Sequence, residues 1–135
     1  MSERAARLGV IVGGILVAVA AFMPWASVGA FGVTGLQGDG VFAVVIGAIL
    51  AVLGAAILNA GPSAAERVGI LVLSAAAFGL YAFEWYNLSQ RLEPGSIITL
   101  SVGTGIYVGA LGGLWSLLVS NAIGKKAEPP ASPPT

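Results

Sequence analysis

Few side chains in this sequence are equipped for chemistry. Glu84 is the one acid close to an apolar run, between Phe83 and Trp85. A carboxylate at the centre of a bilayer is a functional site by default, whereas one in the last turn of a span, beside ring-bearing interface residues, is a solvated interfacial acid; both roles are open to Glu84. Asp39 has two roles open to it as well, a helix cap or a cation ligand. Together with Glu93 these acids form an acidic outer face, too dispersed in sequence to make a calcium site. Ser63 and Glu66 stand at capping-box spacing, the serine accepting from a free amide and the glutamate reaching back to the cap. Thr104, like Asp39, precedes an apolar helix, and each is read as an N-cap for amides that find no partner in lipid.

What is missing excludes more. The chain has no cysteine and no histidine, which removes thiolate nucleophiles, imidazole-held haem and the usual zinc sites. No nucleophile–base pair or ligand set can be assembled, so neither catalysis nor a cofactor is expected. Six basic and six acidic residues cancel, and no nucleic-acid partner is implied.

These residues must be positioned by apolar elements. Hydrophobic residues make up 57% of the chain and charged residues 9%, against roughly 25% charged in a soluble domain, so lipid is expected to be the solvent for much of it. Four apolar runs, 8–25, 41–58, 68–86 and 105–123, are each about 27–29 Å long as helices, enough to span a bilayer. The fold expected is an all-α membrane protein, a four-helix transmembrane bundle over 1–124. The Pro-rich segment 125–135 is expected to be a disordered cytoplasmic tail. Arg4, Arg7, Arg67, Lys125 and Lys126 all fall on one side of such a topology and only Arg91 on the other, which orients both termini to the cytoplasm. Trp25, Phe42, Trp85, Tyr86 and Tyr107 then gather at the outer ends as an aromatic belt.

The halves of the chain resemble each other. Arg7, Gly9, Val12 and Trp25 recur at matching spacing as Arg67, Gly69, Val72 and Trp85, and Gly38-Asp-Gly-Val-Phe42 as Gly103-Thr-Gly-Ile-Tyr107. Either a tandem duplication of two-helix units or chance matching of glycine- and valine-rich helices produces this pattern. A duplication predicts a parallel repeat with a pseudo-twofold axis along the membrane normal.

Small residues recur at one-turn spacing: Gly9 and Gly13; Gly47, Ala51 and Ala55; Gly105, Gly109 and Gly113, with Gly112 beside them. Such stripes let another backbone approach, either within the bundle or from a homo- or hetero-oligomeric partner. The outer loops 27–38 and 87–104 contain a hairpin signal around Gly29 and Gly32 and a β-branched run at 96–102, which together predict a small extracellular sheet.

Pro24-Trp25, the run Gly35-Leu-Gln-Gly-Asp-Gly40 and the later Gly103-Thr-Gly-Ile-Tyr107 make the sequence similar to small uncharacterised four-span proteins of actinobacteria and their phages. The resemblance covers most of the chain and implies a multi-pass protein of the bacterial cytoplasmic membrane. It brings no established chemistry. With small-residue stripes on three spans and no ionisable group deep in spans 1, 2 and 4, the expected role is non-catalytic. The chain reads first as an accessory or assembly subunit acting through helix–helix contacts with lipid and another membrane protein or a second copy around it. A pore-forming or membrane-perturbing effector, holin-like or superinfection-excluding, and a small transporter are the alternatives.

Overall fold

The computed structural model describes residues 2–28, 31–90 and 100–123. Arg91, Glu93, positions 29–30, where the hairpin was expected to turn, and the Pro-rich segment 125–135 lie outside the described residues. Four helices, α1 (Glu3–Ala20), α2 (Gly40–Ala56), α3 (Ala64–Gln90) and α4 (Thr104–Ser120), alternate in direction and form a bundle. At one end sit three short strands, β1 (Pro24–Val28), β2 (Phe31–Thr34) and β3 (Leu100–Val102), with a 3-10 turn at Gly35–Gln37. One helix, α3, is long and apolar enough by itself to cross a membrane; α2 and α4 are apolar but 17 residues long.

Several boundaries differ from the sequence expectation for a local reason. Helix α1 starts at Glu3 because Ser2 caps it, the hydroxyl accepting from the Ala5 amide at 3.1 Å. It ends at Ala20, so Trp25, expected in the last turn of the first span, lies in a strand instead. Helix α3 starts after a reciprocal capping box: Glu66 N donates to Ser63 Oγ and Ser63 N to Glu66 Oε1, both at 3.1 Å. It then runs to Gln90, with no proline or glycine near position 86 to stop it.

The helices form a ring in which α1 packs closely on α2 and α4, α4 on α3, while the α2–α3 seam is the thinnest. Glycine explains the close seams. A side-chain carbon on Gly14 would lie 2.7 Å from backbone atoms of Gly47 and Ala51 in α2, and one on Gly13 would run into Ser116 of α4. The Gly13-Gly14 pair therefore serves two neighbours, because successive residues on a helix point about 100° apart. Two apolar layers fill the axis: Val17, Trp25, Ala77, Tyr81 and Ile106 towards the sheet, and Val10, Leu50, Ile57, Ile70 and Val119 towards the other end.

The two halves do not pack alike. Trp25 is 5% exposed and Trp85 46%. Gly47 and Gly112, which the offset that matches Gly38 with Gly103 also brings into register, both press on α1, where a twofold axis would direct one to α1 and the other to α3. The α1–α4 seam is close and its symmetry counterpart, α2–α3, is thin.

In the sheet β1 is central and antiparallel to both β2 and β3. A bulge falls between Pro24 and Ala26, and such an irregularity re-aims one side chain. The residue concerned is Trp25, which enters the bundle. Replacing Gly109, which packs on the Tyr81 ring, by alanine is expected to lower the stability of the purified protein by about 1–3 kcal/mol through overpacking. Gly79→Ala, where the added carbon meets open space, is the control and should show no loss in the same thermal unfolding measurement.

Candidate functional site

The polar side chains inside the bundle converge on helix ends. The last four carbonyls of a helix lack intrahelical partners, and in α1 each has one by other means. Val17 O accepts from the Tyr81 hydroxyl at 2.7 Å, and Ala20 O from Trp25 Nε1 at 2.9 Å. Ala18 O and Val19 O accept from the Ala21 and Phe22 amides. Tyr81, wholly buried, meets Trp25 edge-on with ring centroids 5.2 Å apart, an arrangement favoured by the ring quadrupoles. Gly35, Gly105 and Gly109 leave the space these rings occupy; a side chain on Gly109 would penetrate Tyr81, and one on Gly35 the indole of Trp25.

At the other end Arg7 does the corresponding work for α2. One terminal nitrogen donates to Ile57 O at 2.9 Å and Leu58 O at 3.3 Å, while the other binds Glu3 Oε1 at 2.8 Å. Arg4 reaches Asn59. Helix α4 ends similarly, Leu117 O accepting from Ser120 Oγ and from Asn121 Nδ2. Two hydroxyls are left over: Ser74 and Ser116 are fully buried without a hydrogen-bond partner among the described residues.

The residues singled out in the sequence are distributed as follows. Gly9 and Gly13 face α4, Gly47 faces α1, Gly105 faces the Ala20–Trp25 corner, and Gly109 and Gly113 face α3. These stripes are occupied inside the bundle. Ala51 is half-buried at the Gly14 contact. Ala55 is exposed and lies outside the internal packing, which leaves it the other of the two roles open to the stripe, a contact from outside the bundle. Asp39 occupies the N-cap position of α2, but its side chain makes no capping bond and its backbone is helical rather than extended; the capping role expected for it is not the one it performs. Thr104 is likewise the first helical residue rather than the cap, a place taken by Gly103. The Gly103 amide instead donates to Trp25 O at 2.7 Å and so joins α4 to the sheet.

Asp39 and Glu84 share the wall of a cleft of about 300 Å³ between the 3-10 turn and the end of α3, with Gln37, Asn87 and an edge of Trp25. Gln37 is engaged with the Thr34 amide at 3.0 Å. Among the described residues no group of three acids, histidines or cysteines lies close enough to hold a metal ion.

Sequence reasoning passed over Tyr81, Trp115, Gly14 and the structural role of Arg7. A signal was present for two of them: a phenol in the middle of an apolar run needs a buried acceptor, and a glycine doublet in a helix can serve two seams. Trp115 Nε1 donates to Gly9 O at 3.1 Å across α1 and α4, a pairing with no sequence signature.

No protein-family model, curated protein or solved structure matches this chain.

Removing the Tyr81 hydroxyl (Tyr81→Phe) should cost about 1 kcal/mol, and Arg7→Gln about 1.5–3 kcal/mol through lost charge-assisted bonds at the α2 terminus. Ser74→Ala and Ser116→Ala remove unpartnered buried hydroxyls and should leave stability equal or raise it by about 1 kcal/mol. Thermal unfolding of the four variants measures these differences, and a loss in both serine variants would show that the hydroxyls have partners.

Proposed function

We propose that this chain is a four-span integral membrane protein with both termini in the cytoplasm, acting without catalysis as an accessory or assembly subunit held to another membrane protein by helix–helix contacts. The observation that carries the reading is the outside of the bundle. Large apolar side chains are exposed on all four helices, among them Val12 and Val19, Phe42 and Val52, Val68 and Phe83, Leu111 and Leu118. A water-soluble monomer tolerates only a few hundred Å² of contiguous apolar surface, whereas lipid tails solvate such a surface at no cost. The internal satisfaction of helix-end carbonyls by Tyr81, Trp25 and Arg7 supports the same reading, since a bilayer core offers no water to do it.

Support for a partner comes from α3. The glycines of α1, α2 and α4 are committed inside the bundle, but Ala75, Ala76 and Gly79 are exposed on one face of α3, with open space beside Gly79. Small residues at this spacing on a lipid-facing helix admit the backbone of another helix. The occupant proposed is therefore a transmembrane helix of a different protein in the same complex. The effector and transporter alternatives draw no support from the bundle axis, which the described residues fill with apolar side chains.

Two experiments test this. The chain has no cysteine, and a side chain at Gly38 or Gly61 meets nothing within 4 Å, so single Gly38→Cys and Gly61→Cys variants report topology cleanly. An impermeant maleimide should label the first in intact cells and the second only after permeabilisation; the reverse pattern would overturn the orientation, and recovery in a soluble fraction without detergent would overturn the membrane reading. A photoreactive residue at position 79 should capture a neighbouring membrane protein, whereas one at position 12 should not. Purification from native membranes as a lone monomer with no crosslinked neighbour would sink the subunit role.

A further inference from the structure

The apolar core of the bundle is interrupted at mid-height. One layer holds Val17, Ala77, Tyr81 and Ile106, and the other Val10, Ile70 and Val119. Between them the buried positions of α1 are Gly13 and Gly14, that of α3 is Ser74, and those of α4 are glycines followed by Ser116. Across the α3–α4 seam Gly109 meets Tyr81, and Gly113 meets Ala77 and Phe78, an antiparallel register that brings Ser116 to the level of Ser74. Both hydroxyls are fully buried, and neither has a hydrogen-bond partner among the described residues. Water would satisfy both.

Whether water arrives is decided by how α3 is held. Towards the sheet it is fixed: the Tyr81 hydroxyl donates to Val17 O at 2.7 Å, and a side-chain carbon on Gly113 would lie 2.7 Å from Phe78 N. Towards the other end the hold is slight. Over residues 64–73 Ile70 alone is buried, and a side-chain carbon on Gly69 would first meet α2 at Leu53 Cδ1, 4.0 Å away. On the α4 side an open cleft of about 330 Å³ separates Val68 and Leu71 from Ser120 and Ile123. Gly61, in the connection from α2, has open space around it as well. Local opening draws on segments with few buried contacts, and an unsatisfied buried hydroxyl favours it because opening restores the missing hydrogen bond.

We infer that segment 64–74 of α3 is a gate, which moves off α2 and α4 and admits water from the end away from the sheet as far as Ser74 and Ser116. The Tyr81 layer stays shut, so the open form is a blind vestibule ending in two hydroxyls. The inference concerns the inside of the bundle and does not depend on the partner contact proposed at Gly79.

The chain has no cysteine, so Ser74→Cys in the full-length protein in neutral detergent reports access to N-ethylmaleimide as a shift in mass. Its labelling should be about tenfold faster than that of Ala77→Cys, equally buried one turn nearer the sheet. Two further changes on the Ser74→Cys protein locate the movement. Gly69→Ala stiffens the loosely held segment and adds a contact with Leu53, and should slow labelling about fivefold; Gly79→Ala stiffens the fixed half and should leave the rate unchanged. Ser116→Ala relieves the closed form of one unsatisfied hydroxyl and should slow labelling about five- to tenfold. In the unaltered chain, amides 68–74 should exchange with deuterium faster than amides 77–83, a readout that stands even if Ser74→Cys does not fold. Equal labelling at positions 74 and 77, or equal slowing by Gly69→Ala and Gly79→Ala, would mean that the whole bundle opens and would overturn the gate. Uniform protection along α3, or a Ser116→Ala change without effect, would overturn it too.

Discussion

The structure depends on how the end of α1 is closed. A helix that stops inside a dry bundle leaves carbonyls exposed to nothing, and an unsatisfied buried carbonyl costs about 1–3 kcal/mol. Here the Tyr81 hydroxyl crosses from α3 to Val17 O, and the indole of Trp25 folds back to Ala20 O. Both donors sit on large rings, and both rings need room. Gly109 on α4, Gly105 at its first turn and Gly35 beside the sheet provide it. One polar requirement thereby ties α1, α3, α4 and the sheet together, and it explains why glycine stands where helix propensity alone disfavours it.

The same economy governs the opposite end. Arg7 could have been a free surface charge, but it is drawn onto the end of α2 and paired with Glu3. Its sequence counterpart, Arg67, lines an open cleft. Matching residues in the two halves thus meet different surroundings, because α1 has close neighbours on both sides and α3 on one. Ala75, Ala76 and Gly79 of α3 face outwards, and the proposed partner contact falls there.

The sheet is small, but it decides the fate of Trp25. Paired in regular register, successive residues of β1 would alternate between faces; the irregularity between Pro24 and Ala26 lets Trp25 and Ala26 both be buried. The cleft shared by Asp39 and Glu84 is a consequence of the same corner, where the 3-10 turn lies against the end of α3.

Much of this architecture was legible in the residues alone. Four apolar runs of similar length specify four helices, since period and length are local properties, and the Ser63–Glu66 box marks the start of α3 because capping involves residues three apart. The hairpin signal near Gly29 and Gly32 and the β-branched run ending at Val102 pointed to strands for the same local reason. Which stripe meets which helix was not legible: glycine says that something comes close and is silent about what. The capping roles of Asp39 and Thr104 failed for a related reason, as Gly103 was drawn to Trp25 O and the backbone at Asp39 was already helical. Only tertiary structure assigned Tyr81 to Val17, Trp115 to Gly9 and Arg7 to Ile57, contacts between residues at least 50 positions apart, because those pairings depend on the order of helices around the ring and on rotations that no single helix determines.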